Sequence, residues 1–142
     1  MAVFNRILIP YDGSGPSRRA ALKGMEIAED QKAEVFGLKV ISYIGELITP
    51  SDSLWATIEG DLRNKAAAIL NDLVAIAADK GIEIKTELRE GDATEEVVAY
   101  ADELHADLIV LGLGGRSGMG KYLGRNVDKI LREATCPVMV VR

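Results

Sequence analysis

The feature that most constrains this chain is a regular alternation of strand-type and helix-type hydrophobic patterns from one end to the other. The first strand pattern is Arg6-Ile7-Leu8-Ile9, closed by Pro10. Asp12-Gly13-Ser14-Gly15-Pro16 then reads as a turn and a helix start, because proline lacks an N–H that the first helical turn does not need. Ala21, Met25 and Ala28 give that helix an apolar face, and Gly24 permits close approach to a sheet. A second strand is expected over Val35 to Ile41, followed by a polar loop, Gly45 to Ser53, that is long for such a unit. Leu54, Ile58, Leu62, Ala66, Ile69, Leu73 and Ala77 recur at intervals of three and four and mark a long helix. Lys80-Gly81 closes it with a basic last turn and a glycine suited to a left-handed cap.

The third strand pattern alternates, with Ile82, Ile84, Thr86 and Leu88 set against Glu83, Lys85, Glu87 and Arg89. One face is therefore wet, which places it at a sheet edge. Asp92 and Glu95 form a capping-box-like start to a third helix, with Val97, Val98, Ala101 and Leu104 inward. Leu108-Ile109-Val110-Leu111 is apolar on both faces and so belongs in the centre. A fourth helix carries Val127, Ile130, Leu131 and Ala134, and Val138-Met139-Val140-Val141 is the last strand. The alternation implies a three-layer α/β fold: a doubly wound, five-stranded parallel sheet with helices on both faces, in one domain over residues 1–142. An outer third strand and central first and fourth strands favour the order 3-2-1-4-5. The rival order 2-1-3-4-5 would bury the third strand. In either case ligands are expected where the order reverses, beyond the carboxyl ends of the strands. For 3-2-1-4-5 that crevice lies between Pro10-Tyr11-Asp12 and Leu111-Gly112.

Composition excludes several classes. The chain is 48% apolar and 27% charged, which is ordinary for a globular protein, so disorder and fibrous repeats are set aside. Its apolar runs are too short to cross a bilayer, and its start lacks the charge and apolar stretch of a signal peptide, so a cytoplasmic location without membrane contact is expected. A net charge of −5 argues against nucleic acid as a partner. Cys136 is the single cysteine and His105 the single histidine, so neither a thiolate metal cluster nor a Ser/His/Asp set can be built, and no catalytic or metal residue is assigned. His105 ends the third helix, where an imidazole commonly offsets the dipole, and Cys136 reads as a packed thiol.

The sharpest signal is a run of six glycines, Gly112, Gly114, Gly115, Gly118, Gly120 and Gly124, between the central fourth strand and a helix. Glycines admit positive φ and let a ligand approach the main chain, so consecutive N–H groups can cradle a phosphate at a helix N-terminus. A loop that merely connects two elements is the other reading, and position at the order reversal favours the cradle. Two nucleotide motifs fall short. Gly115-Arg-Ser-Gly-Met-Gly120-Lys121-Tyr122 has tyrosine where a Walker A loop needs Ser or Thr, and Gly112-Leu-Gly114-Gly115-Arg-Ser117 lacks the third glycine of the dinucleotide fingerprint.

Several segments together resemble the universal stress protein family along nearly the whole chain. They are Ile7-Leu8-Ile9-Pro10-x-Asp12-Gly13-Ser14, Glu90-Gly91-Asp92, Ala106-Asp107-Leu108-Ile109-Val110 and Cys136-Pro137-Val138-Met139-Val140-Val141. The resemblance implies the 3-2-1-4-5 sheet. One branch of that family binds ATP through G-x2-G-x9-G-[ST]. Here Gly112-x2-Gly115 fits the first half, but eight residues separate Gly115 from Gly124, and Arg125 replaces the hydroxyl residue. Arg116, Arg125 and Asn126 could supply phosphate contacts instead, arginine through its planar charged fork. The resemblance implies that Asp12 and Val40 bracket adenine and ribose, with Pro10 and Leu111 as apolar walls. Without it, Asp12 reads as a turn carboxylate accepting backbone N–H bonds.

The last strand is apolar on both faces, yet the order places it at an edge, which invites pairing with a second chain. The expectation is a homodimer through Val138, Met139, Val140 and Val141, which the resemblance also implies. The functional expectation is an ATP-binding regulatory protein of the stress response, with Mg2+ as an accompanying ion. A nucleotide-free interaction module and a slow ATPase are the alternatives.

Overall fold

A computed structural model describes residues 2–42, 52–113 and 125–142. Along the chain these form β1 (Arg6–Pro10), α1 (Gly15–Gln31), β2 (Glu34–Ile41), α2 (Asp52–Asp79) and β3 (Ile84–Glu90), then α3 (Ala93–Leu104), β4 (Leu108–Gly112), α4 (Arg125–Glu133) and β5 (Val138–Val141). The strands pair in parallel in the order β3-β2-β1-β4-β5, which removes the rival topology. β1 shows why both faces need helices. Ile7 and Ile9 join a core with Ala21 and Met25 of α1 and Leu73 and Ala77 of α2. Leu8, pointing the other way, joins Val97 and Ala101 of α3 and Val127 and Ile130 of α4.

Helix ends follow local chemistry. The Ser14 hydroxyl accepts the Ser17 N–H at 3.3 Å, with Pro16 in the first turn of α1. The Asp92 carboxylate accepts the Glu95 N–H at 2.9 Å and starts α3. After α2, Gly81 takes the expected left-handed conformation at φ +69. α3 ends at His105, as expected, which is left-handed at φ +52 and caps the helix through its backbone N–H.

Some expected core positions lie elsewhere. β3 begins at Ile84 rather than Ile82, and Thr86 is exposed although it shares a face with Ile84 and Leu88. Leu54 is 51% exposed. The 28-residue α2 would be about 42 Å long against about 26 Å for the 8-residue β2, so its first turns overrun the sheet. Leu131 is also largely exposed, one step around α4 from the buried Ile130. Leu70, Ile76 and Tyr100 join the core unannounced by the pattern.

Two glycines mark where backbone meets the sheet. A Cβ on Gly24 would lie 2.9 Å from Ile9 Cδ1, the far end of a flexible side chain. On Gly112 it would lie 2.3 Å from the Pro16 carbonyl carbon and 2.6 Å from the Ser17 nitrogen, which are main chain and cannot swing away. Gly24→Ala gains helix propensity of about 1 kcal/mol and loses a comparable amount to crowding, so urea unfolding should show little net change. Gly112→Ala should lose about 3 kcal/mol in the same experiment, the upper end of overpacking costs. Thr94, 1% exposed on the inner face of α3, has a hydroxyl with no hydrogen-bond partner among the described residues. Thr94→Val should therefore stabilise the fold by about 1 kcal/mol in urea unfolding, since it removes an unsatisfied buried group.

Candidate functional site

The site begins with a parting of strands. β1 and β4 pair only at Ile7↔Leu108 and Leu8↔Ile109, although both run on, to Pro10 and Gly112. Pro10 has no N–H to give to a ladder. Each strand instead leans on its outer neighbour. β1 stays paired with β2 through Pro10↔Leu38, and the Tyr11 N–H donates to the Leu38 carbonyl at 2.8 Å. β4 stays paired with β5 through Gly112↔Val141, and the Leu113 N–H donates to the Val141 carbonyl at 2.8 Å. The opening lies at the order reversal, and the start of α1 packs against its β4 side at Gly112.

Asp12 stands at the β1 side of this opening. Its Oδ1 accepts the Ser14 N–H at 2.9 Å, while Gly13 between them takes φ +81. The Ser17 hydroxyl donates to the Ser14 carbonyl at 3.0 Å, which ties the turn to the first helical turn. Burial alone would push the Asp12 carboxyl up. Hydrogen bonds from the hydroxyl and amide of Ser14, with the charge of Lys39, outweigh it and hold the group below its usual range. Asp12 is thus an ionised carboxylate in a fixed direction.

Pro10, Asp12, Val40, Leu111 and Gly112 all lie at the carboxyl ends of β1, β2 and β4 or directly beyond. Leu111 is buried, and half-buried Val40 packs into the same apolar cluster on the α3–α4 face. Gly115, Arg116 and Gly124 lie outside the described residues, as do Tyr43 and most of the loop expected over 45–53. Arg125 opens α4, and Asn126 is exposed on its first turn. Asp72 of α2, which accepts a hydrogen bond from the Tyr11 hydroxyl, escaped the sequence reading. The S-x-x-S spacing of Ser14 and Ser17 was a readable cap signal, whereas nothing local marks Asp72. Burial, and next the charge of Asp102, raise the Cys136 thiol pKa, which is the opposite of an activated nucleophile. Among the described residues no group of three His, Cys, Asp or Glu side chains could hold a metal ion, and no helix is long and apolar enough to cross a membrane.

Comparison with known proteins gives a consistent result. Residues 4–142 match the sequence profile described as the Universal stress protein family. Universal stress protein MJ0531 of Methanocaldococcus jannaschii is 33% identical over 141 residues, covering 99% of this chain and 83% of its own length. Universal stress protein UspA from Lactobacillus plantarum superposes with a TM-score of 0.86 at 24% identity over the whole of both chains. A universal stress protein in complex with cAMP aligns at TM-score 0.76 and 22% identity, covering 99% of each chain. A family member from Arabidopsis thaliana with AMP bound aligns at 0.72 and 16%, covering 96% of this chain and 90% of its own. The structural likenesses establish the fold, and the profile match over nearly every residue goes further: this chain belongs to the universal stress protein family.

Proposed function

We propose that the chain binds an adenine nucleotide, ATP foremost, at the opening between β1 and β4, and acts as a dimer in regulating a stress response. The observation that carries this reading is the parting of the two strands beside a fixed, ionised Asp12, directly before the glycine run. A carboxylate accepts about four hydrogen bonds, so the turn does not exhaust Asp12 and ribose hydroxyls can donate to it. Val40 and Leu111 offer apolar surface to the base, with Pro10 beside them. Gly112, Gly115 and Gly124 would bring main-chain N–H groups to the phosphates, and Arg116, Arg125 and Asn126 would add side-chain donors. Mg2+ would enter with the triphosphate. Family members with AMP and with cAMP bound support this nucleotide class.

The dimer rests on β5. All four of its residues, Val138 to Val141, are half-buried, and the strand is the outer one of its sheet. An apolar edge left in water is a pairing template, so an antiparallel union of two β5 strands satisfies it. The Arg125 replacement and the shortened glycine run favour a second reading, an interaction module of the same fold that has lost its nucleotide.

Titration calorimetry with ATP, AMP and cAMP should give saturable binding that Asp12→Ala and Gly115→Val each abolish. No heat from any nucleotide would leave the module reading standing. Sedimentation should show a dimer at micromolar protein that Val140→Lys, a charge on the edge, converts to monomer with an unchanged circular dichroism spectrum. A wild-type monomer would overturn the dimer.

A further inference from the structure

The turn that presents Asp12 is gripped from the side by α2. Tyr11 is 2% exposed, and its hydroxyl donates to Asp72 Oδ2. Arg18 Nη1, from the second turn of α1, lies 3.6 Å from the same oxygen. One turn before Asp72, the side chain of Ile69 lies 3.5 Å from where a Gly13 Cβ would be. Residues three apart share a helix face, so one face of α2 touches both neighbours of Asp12.

The ion-pair part of this contact adds little stability. The Arg18 and Asp72 side chains are 54% and 43% exposed, and exposed ion pairs contribute little once solvent screens them. A phenylalanine at position 11 would fill the core without needing a carboxylate. The hydroxyl adds direction, because a hydrogen bond fixes the ring end against one point of α2. It also keeps its proton: burial first, then the hydrogen bond and charge of Asp72, push the Tyr11 phenol up to about 12, so it remains a donor at any working pH.

We propose that Asp72 is a positioning residue for the nucleotide site, holding Tyr11 and Arg18 so that the β1–α1 turn fixes the direction of the Asp12 carboxylate. This rests on the nucleotide reading above, and two readouts separate the pair. The first needs no nucleotide. NMR titration of Asp12 in the free protein should show its lowered pKa rising toward the ordinary carboxylate value in Tyr11→Phe and in Asp72→Ala, as the turn loosens and its hydrogen bonds lengthen. The second is calorimetry with ATP. Each variant should bind about tenfold more weakly, and the double variant no more weakly than either single one, since both act through one contact.

An Asp12 titration unchanged in both variants overturns the positioning role whatever happens to ATP. ATP affinities of both variants equal to wild type, while Asp12→Ala abolishes binding, overturn it as well. If instead wild type binds no nucleotide, the nucleotide reading fails, and the Asp12 titration still decides whether Asp72 orients the carboxylate. Should Tyr11→Phe fail to fold, Asp72→Ala truncates only a half-exposed side chain and carries the same test.

Discussion

Everything in this structure hangs on burying β1 from both sides. Ile7, Leu8 and Ile9 are fully enclosed, two facing α1 and α2 and one facing α3 and α4. At about 2 kcal/mol each, these three side chains contribute roughly as much as the whole net stability of a small domain. Neither helical layer can be lost without opening this strand. The strand's carboxyl end is consequently the best-anchored place in the fold from which to project a polar group, and Asp12 follows it by two residues.

The topology then turns that anchor into an opening. A strand order that reverses beside β1 sends the chain away to opposite faces after β1 and after β4. Main-chain continuations diverge, and Pro10 removes a donor where the ladder would otherwise continue. Gly112 lets the start of α1 sit against β4, at a distance no side chain would permit. A helix start and the end of an apolar strand therefore meet at the β4 side of the opening. That combination suits a ligand with an apolar ring and an anionic tail.

Much of this could be read in the residues because it depends on short-range patterns. The apolar runs of β1 and β4 and the alternation of β3 are local signals that favoured the observed sheet order, and the helix starts and the Gly81 cap are local as well. What escaped was of two kinds. Leu54 looked inward because periodicity describes a helix face but not the length of the sheet beneath it, and α2 outruns its sheet. Asp72 escaped because its meaning comes from Tyr11, 61 residues earlier in the chain. No periodicity marks a surface carboxylate as the acceptor of a core phenol. The candidate site divides in the same way: Asp12 and Gly112 follow from topology, while the contact of Asp72 with Tyr11 joins residues far apart in the chain.

The turn role of Asp12 and the ligand role proposed for it call on one arrangement. A carboxylate that accepts the Ser14 N–H cannot rotate freely, and the same bonds keep it ionised despite its burial. A free aspartate would have to be ordered on binding, at a cost in side-chain entropy that this one has met during folding. On the proposed nucleotide reading the structural role prepares the functional one, and holding Tyr11 adds to it, since a turn fixed at Ser14 alone could still swing about Gly13. Gly13 at positive φ is the freest joint in the segment. The hydrogen bond from Tyr11 to Asp72 on one side and the packing of Ile69 on the other are what restrain it.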